Sequence, residues 1–203
     1  MICGVFFLQL RQDVQIVEVK PQTSAWDQFL QLTHIYLREN WPESIEADSA
    51  VFLPQHGSEL EERIKQGGRG LFLLQASDKN IGIANVYLDA EHRRLNVAEF
   101  YIIPSERMQG LGRSFLAGLL TWGAQHGVRE IRLEADKGQA AANSFWLRMP
   151  LRLDSSSNRN VYHGDLEQVL TLLRVQDATR QEVVLSSSST SALAALPVTM
   201  ISF

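Results

Sequence analysis

The sequence predicts an α+β (mixed α/β) fold, a mostly antiparallel central sheet flanked by helices, and three observations carry that prediction. Gly70 to Ala76, Ile81 to Leu88 and Leu95 to Ile103 are rich in Val, Ile, Leu, Phe or Tyr, with only short polar breaks between them. Three such runs in succession form an antiparallel meander. After Pro104 the apolar spacing becomes helical, with Leu111, Phe115 and Leu119 joined on one face by Leu116 and Leu120. The resulting order of strand, helices, three strands, helix, strand, helix and strand is not a regular βαβ repeat.

Residues 1–13 read as a leader or an extra strand. Val14 to Val19 alternates apolar and polar residues and stops before Pro21, as a half-buried strand does. Ser24 stands three residues before Asp27 in the manner of a capping box, and Ala25, Phe29, Leu32 and Tyr36 fill one face of a helix to about Arg38. From Asn40 to His56, Pro42, Pro54 and several acidic residues interrupt any period, which predicts a loop or broken helix. Leu60 and Ile64 predict a short helix closed by Gly67 and Gly68. The helix opening at Gly110 runs to about His126, where Gly127 stops it. Ile131, Leu133 and Ala135 alternate as a strand, Ala140 to Leu147 forms a helix that ends before Pro150, and Val161 to Leu166 is the last strand. The main domain thus spans 14–167. Residues 168–203 form an extension, and its Ser- and Ala-rich part from about 176 is expected to be mobile.

A chain of 203 residues, 45% of them hydrophobic, buries a full core. With 19 basic against 23 acidic residues and a net charge of -4, it has no surplus cation for a nucleic-acid backbone. Cys3 is the single cysteine. This excludes an internal disulfide framework or a Cys-based zinc site and fits a reducing, cytoplasmic compartment. The apolar run Met1 to Leu8 lacks a basic leading segment and falls far short of the ~20 residues that cross a bilayer, so no membrane partner is expected. His34, His56, His92, His126 and His163 show no spacing that would pair two of them on one helical face, and no metal is expected.

The informative stretch is Tyr101-Ile102-Ile103-Pro104-Ser105-Glu106-Arg107-Met108-Gln109-Gly110-Leu111-Gly112-Arg113, which leads from a strand through a turn into a helix. The first amides of a helix lack intrahelical partners and carry partial positive charge, so they hold phosphate oxygens. Gly110 and Gly112 let an anion approach the backbone, and Arg107 and Arg113 flank the turn with donors. Alternatively, both glycines serve only turning and packing within an interaction domain.

This stretch resembles the GNAT acyltransferase superfamily. Tyr101-Ile102-x-Pro104-x-x-Arg107-x-x-Gly110-x-Gly112 looks like that family's strand and its R/Q-x-x-G-x-G/A pyrophosphate loop. Gln139, Ala142, Phe145 and Trp146 stand where the family shows N-x-x-A-x-x-L/F-Y, and Met149-Pro150-Leu151 where it has x-G-F. The resemblance implies a sheet splayed beside Ile103, with coenzyme A diphosphate on the loop of Arg107, Met108, Gln109, Gly110, Leu111, Gly112 and Arg113. Its pantetheine arm would run along Tyr101, Ile102 and Ile103, with Trp146 beside it. The implied reaction is N-acetyl transfer from acetyl-coenzyme A, or another acyl-coenzyme A, to a primary amine. Direct attack in a ternary complex would do this without a covalent enzyme nucleophile. The acceptor is a small molecule or a peptide or protein, and the sequence leaves room for a homodimer.

Two roles remain open at this stage. Glu99, on the strand leading into the loop and close to where the splay should open, is either a base or a solvent-facing strand residue; the family's more frequent acidic position falls near Asn96, which cannot act as a base. Trp146 replaces the family's acidic tyrosine and its indole N–H cannot supply that proton. Tyr101 or Tyr162 serves instead, or a water does, or the domain binds coenzyme without turnover. The acids Glu43, Glu46, Asp48, Glu59, Glu61 and Glu62 either attract a cationic amine or form a solvated helix face.

Overall fold

The computed structural model describes residues 14–156 and 158–175. The expectations for residues 1–13 and for the tail beyond 175 lie outside the described residues. The strands are β1 (Val14–Glu18), β2 (Arg69–Ala76), β3 (Lys79–Asp89), β4 (Arg94–Ile102), β5 (Glu130–Asp136), β6 (Arg152–Ser156) and β7 (Arg159–Asp165). They form one sheet in the order β1-β2-β3-β4-β5-β7-β6. The expected meander of β2, β3 and β4 is antiparallel throughout, and β5 joins it by a parallel pairing to β4.

Alternating side chains divide the core between the two faces of this sheet. On one face Trp26, Phe29, Leu30 and Leu60 cover Leu71, Leu73, Ile83 and Tyr101. These residues come from α1 (Ser24–Asn40) and α2 (Ser49–Lys65). On the other face α3 (Leu111–Gln125) buries Phe115, Leu116, Leu119 and Leu120 against Phe72, Leu74, Val86 and Leu95. Burying each such side chain fully contributes about 1.5–3 kcal/mol. Helical residues 166–175 and α4 (Ala140–Trp146) complete that layer.

Three local expectations are corrected. The N-cap of α1 is Thr23, not Ser24, and its hydroxyl donates to the Lys20 carbonyl at 2.8 Å instead of capping. The segment read as a loop or broken helix from Asn40 to His56 is an unbroken helix from Ser49 onward, Pro54 included. Asp48 caps this helix by accepting from the Ala50 amide at 2.9 Å, and burial of Gly57 and Leu60 holds it across the proline. Strand β6 was not anticipated, because Arg152, Asp154 and Ser155 are exposed and carry little apolar pattern. Its ladder to β7 at the sheet edge makes it a strand.

Candidate cofactor cleft

The β4–β5 pairing covers only four registers, from Arg94 opposite Glu130 to Val97 opposite Leu133. Beyond them the strands part. The extra residue Ala98 marks the point, because the ladder with β3 passes from Val97 opposite Val86 to Glu99 opposite Asn85. Such a bulge bends its strand and sharpens the local twist. The gap opens into a cleft of about 730 Å³ lined by β4, β5, α4, the C-terminal end of α1 and the loop before α3.

That loop is a row of unpaired donors. Arg107 N–H bonds to the Pro104 carbonyl and Arg113 N–H to Gly110, but the five amides between them, Met108 to Gly112, have no hydrogen-bond acceptor among the described residues. Met108 and Gly110 adopt left-handed φ values of 64° and 86°, a backbone conformation of the kind that builds anion-binding nests. Gly110 is the α3 N-cap and makes no side-chain cap, so the helix end stays open to an anion. Gly112 is tightly packed: a Cβ there would lie 3.0 Å from Phe145 Cε2. Of the cations lining the cleft, Arg113 and Arg148 make no ion pair among the described residues.

The structure brings Arg107, Tyr101 and Glu39 into one cluster. Arg107 Nη2 donates to Glu39 Oε1 at 2.9 Å and its Nε to the Ile102 carbonyl at 2.8 Å. The Tyr101 hydroxyl donates to Glu39 Oε2 at 2.7 Å, and its ring lies 5.3 Å beneath the guanidinium. Burial, and then the Glu39 carboxylate, push the Tyr101 phenol up to about 12. The carbonyl of Ile102, expected to meet pantetheine, thus already has a side-chain donor. Ile103 gives its N–H to the Ile81 carbonyl.

Glu99 lies on the α1–α2 face, half-buried, and is not part of the cleft lining. Its Oε2 accepts from Asn85 Nδ2 at 3.1 Å, and Asn85 Oδ1 accepts from Arg69 Nη1 at 2.6 Å. Burial raises the Glu99 carboxyl above the ordinary glutamate value, and the Asn85 hydrogen bond opposes the rise. Its field, with that of Asp136, adds to the burial that raises the Tyr36 phenol.

A model of the acetyltransferase (GNAT) family matches residues 26–149. The chain belongs to that family. No curated protein matches it. The GNAT fold recurs in a ribosomal L7/L12 alpha-N-protein acetyltransferase in complex with coenzyme A, at 14% identity and TM-score 0.59, covering 76% of this chain and 94% of that one. A PaiA N-acetyltransferase from Thermoplasma acidophilum in complex with coenzyme A has 10% identity and TM-score 0.61, with coverage of 76% and 99%. A dodecameric spermidine N-acetyltransferase from Vibrio cholerae has 10% identity and TM-score 0.60, with coverage of 78% and 96%. At these identities the likeness is one of fold.

In this GNAT chain Trp146 is a core aromatic, 5% exposed, packed on Phe100 and Phe145 at 5.3 and 4.7 Å, and it also lines the cleft. Tyr162 is buried and donates to Asn143 Oδ1 at 2.9 Å, away from the cleft lining. Asn143 also accepts from Asn160 and donates to the carbonyls of Asp136 and Gln139, which fastens α4 to β5 and β7. His126 caps α3 and bonds the Trp122 carbonyl, while His163 pairs with Asp154 on β6. The acids of the α2 region act locally: Asp48 caps, Glu46 bonds the Asp48 amide, and Glu59 and Glu62 pair along the helix. Sequence reasoning missed Tyr36, Glu39 and Asn40, although their spacing of three and four puts them on one line of α1. It also missed Arg148, which carried no pattern of its own. Among the described residues no cluster suits a metal ion, and no helix is long and apolar enough to cross a membrane.

Proposed function

We propose that this chain transfers an acetyl group from acetyl-coenzyme A to a primary amine by direct attack in a ternary complex. The observation that carries the reading is the open row of amides, Met108 to Gly112, at the mouth of the gap between β4 and β5. Those N–H groups suit a diphosphate, and Arg113 and Arg148 suit the remaining phosphate charge. The unladdered edges of β4 and β5 offer main-chain groups to an extended, peptide-like pantetheine. Bound acetyl-coenzyme A supplies the activated acyl group. A backbone N–H of the parted β4 edge stabilises negative charge on the acyl oxygen.

Glu99, which stands outside the cleft lining, is the base of this reading and takes a proton from the acceptor ammonium through intervening water. The new C–N bond replaces the C–S bond, and the second proton of the attacking nitrogen passes through water to the departing thiolate, which leaves as the free thiol. Tyr101 is reassigned from acid to cleft wall. Its hydroxyl proton is already given to Glu39 Oε2 at 2.7 Å. The acceptor is a small amine or a peptide terminus or lysine; solved enzymes of this fold named for spermidine and for a ribosomal protein span both kinds.

A second reading, coenzyme binding without turnover, is favoured by the engagement of Tyr101 with Glu39 and of Tyr162 with Asn143. Thiol release from acetyl-coenzyme A across a panel of amines separates the two. The transferase releases thiol with at least one amine, whereas the binder is stabilised by acetyl-coenzyme A and releases none. Absence of any thermal shift with coenzyme A rejects both, since ligand at ~100 times its dissociation constant adds ~2.7 kcal/mol.

A further inference from the structure

Glu39 joins the two sides of the cleft. It stands near the C-terminal end of α1, where Tyr36 and Asn40 also face the cleft, opposite the wall built by α4 and the α3 loop. One of its oxygens holds the Tyr101 hydroxyl, and the other holds Arg107, a member of the loop with the open amides. The ion pair is 37% exposed on each side, so solvent screens it and it is held weakly enough to exchange. A diphosphate on the neighbouring amides would attract the same guanidinium. Losing Arg107 would leave Glu39 oriented by Tyr101, with one oxygen unpaired and facing the cleft.

We propose that Glu39 is an exchangeable acceptor-binding carboxylate: the coenzyme's phosphates draw Arg107 away, and the freed oxygen then receives the primary ammonium of the acceptor. The assignment rests on the coenzyme reading of the cleft. Guanidinium and ammonium make the same charge-assisted bond to a carboxylate, so one oxygen serves both in turn. Coenzyme and amine therefore bind with positive coupling, and the amine site is complete only after the coenzyme has entered.

Calorimetric titration of coenzyme A into the wild type, Glu39→Gln, Arg107→Gln and the double variant tests the exchange. Gln retains a carbonyl oxygen for the Tyr101 hydroxyl, and melting temperature verifies that each variant folds. Glu39→Gln binds coenzyme A at least fivefold more tightly than the wild type, and the gain vanishes in the Arg107→Gln background. In the second arm 1,4-diaminobutane, a simple primary diamine, is titrated with and without saturating coenzyme A. Coenzyme tightens its binding at least fivefold in the wild type and leaves it unchanged in Glu39→Gln. Unchanged or weaker coenzyme affinity in Glu39→Gln overturns the exchange while leaving the coenzyme site standing. Diamine binding indifferent to coenzyme overturns the acceptor role. A wild type that binds no coenzyme A removes the reading beneath both.

Discussion

At Glu99, burial favours the protonated acid in the folded chain, whereas the unfolded chain ionises at the ordinary value of 4.5. Between those values the folded state binds more protons, so stability falls as pH rises through the window. The stability of the wild type relative to Glu99→Gln should therefore decline as pH climbs above the ordinary glutamate range, which urea titrations at several pH values read directly. If Glu99 is the base, kcat/KM has an acidic limb at its raised value and Glu99→Gln lowers the plateau by roughly 10²-fold or more. Asn85→Leu removes a hydrogen bond that lowers the Glu99 value, so it moves that limb to higher pH. A second prediction concerns Gly112. Phe145 is half-buried and packed on Phe100 and Trp146, and it has to shift by a few tenths of an ångström to admit a Cβ, so Gly112→Ala costs about 1–3 kcal/mol. Coenzyme affinity should fall with it, read by calorimetry. The sequence offered both loop glycines as room for an anion or as turn and packing sites, and in the structure Gly110 sets the backbone turn while Gly112 lies against an aromatic ring.

Among the elements, α4 is fixed less by its own seven residues than by Asn143, whose amide makes four hydrogen bonds. Asn143→Ala strands the Tyr162 hydroxyl and the Asn160 amide, and should destabilise the fold by about 3 kcal/mol or more, measured by denaturant unfolding. Strong periodicity made β1 to β5, α1, α3 and α4 legible, because buried stripes of Leu, Ile and Phe repeat at the spacing each element requires. The failures have separate causes. Pro54 was read as a breaker, yet tertiary burial of Leu60 outweighs its local cost. Strand β6 has no apolar stripe and exists through its pairing. The cofactor loop was legible as a motif, but the partnership of Arg107 with Glu39 joins residues far apart in sequence, and no local pattern announces it.

In the whole molecule, four parallel registers are the strand-to-strand joint between β1–β4 and β5–β7. The leading reading places a ligand where that joint gives out, with donors drawn from both sides. Ala98 sits at this margin, and a period-two reading from Leu95 through Val97 would assign Glu99 to the α3 face. The structure shows Phe100 and Ile102 there instead, and Tyr101 on the α1 face. Excising Ala98 would restore ordinary alternation without moving any downstream side chain to the other face. The shortened protein should keep its circular dichroism spectrum and lose coenzyme A binding by calorimetry, since β4 would straighten and zip further along β5. One supernumerary alanine is then a doorstop: it contributes no chemistry, and its removal shuts the entrance while the building stands.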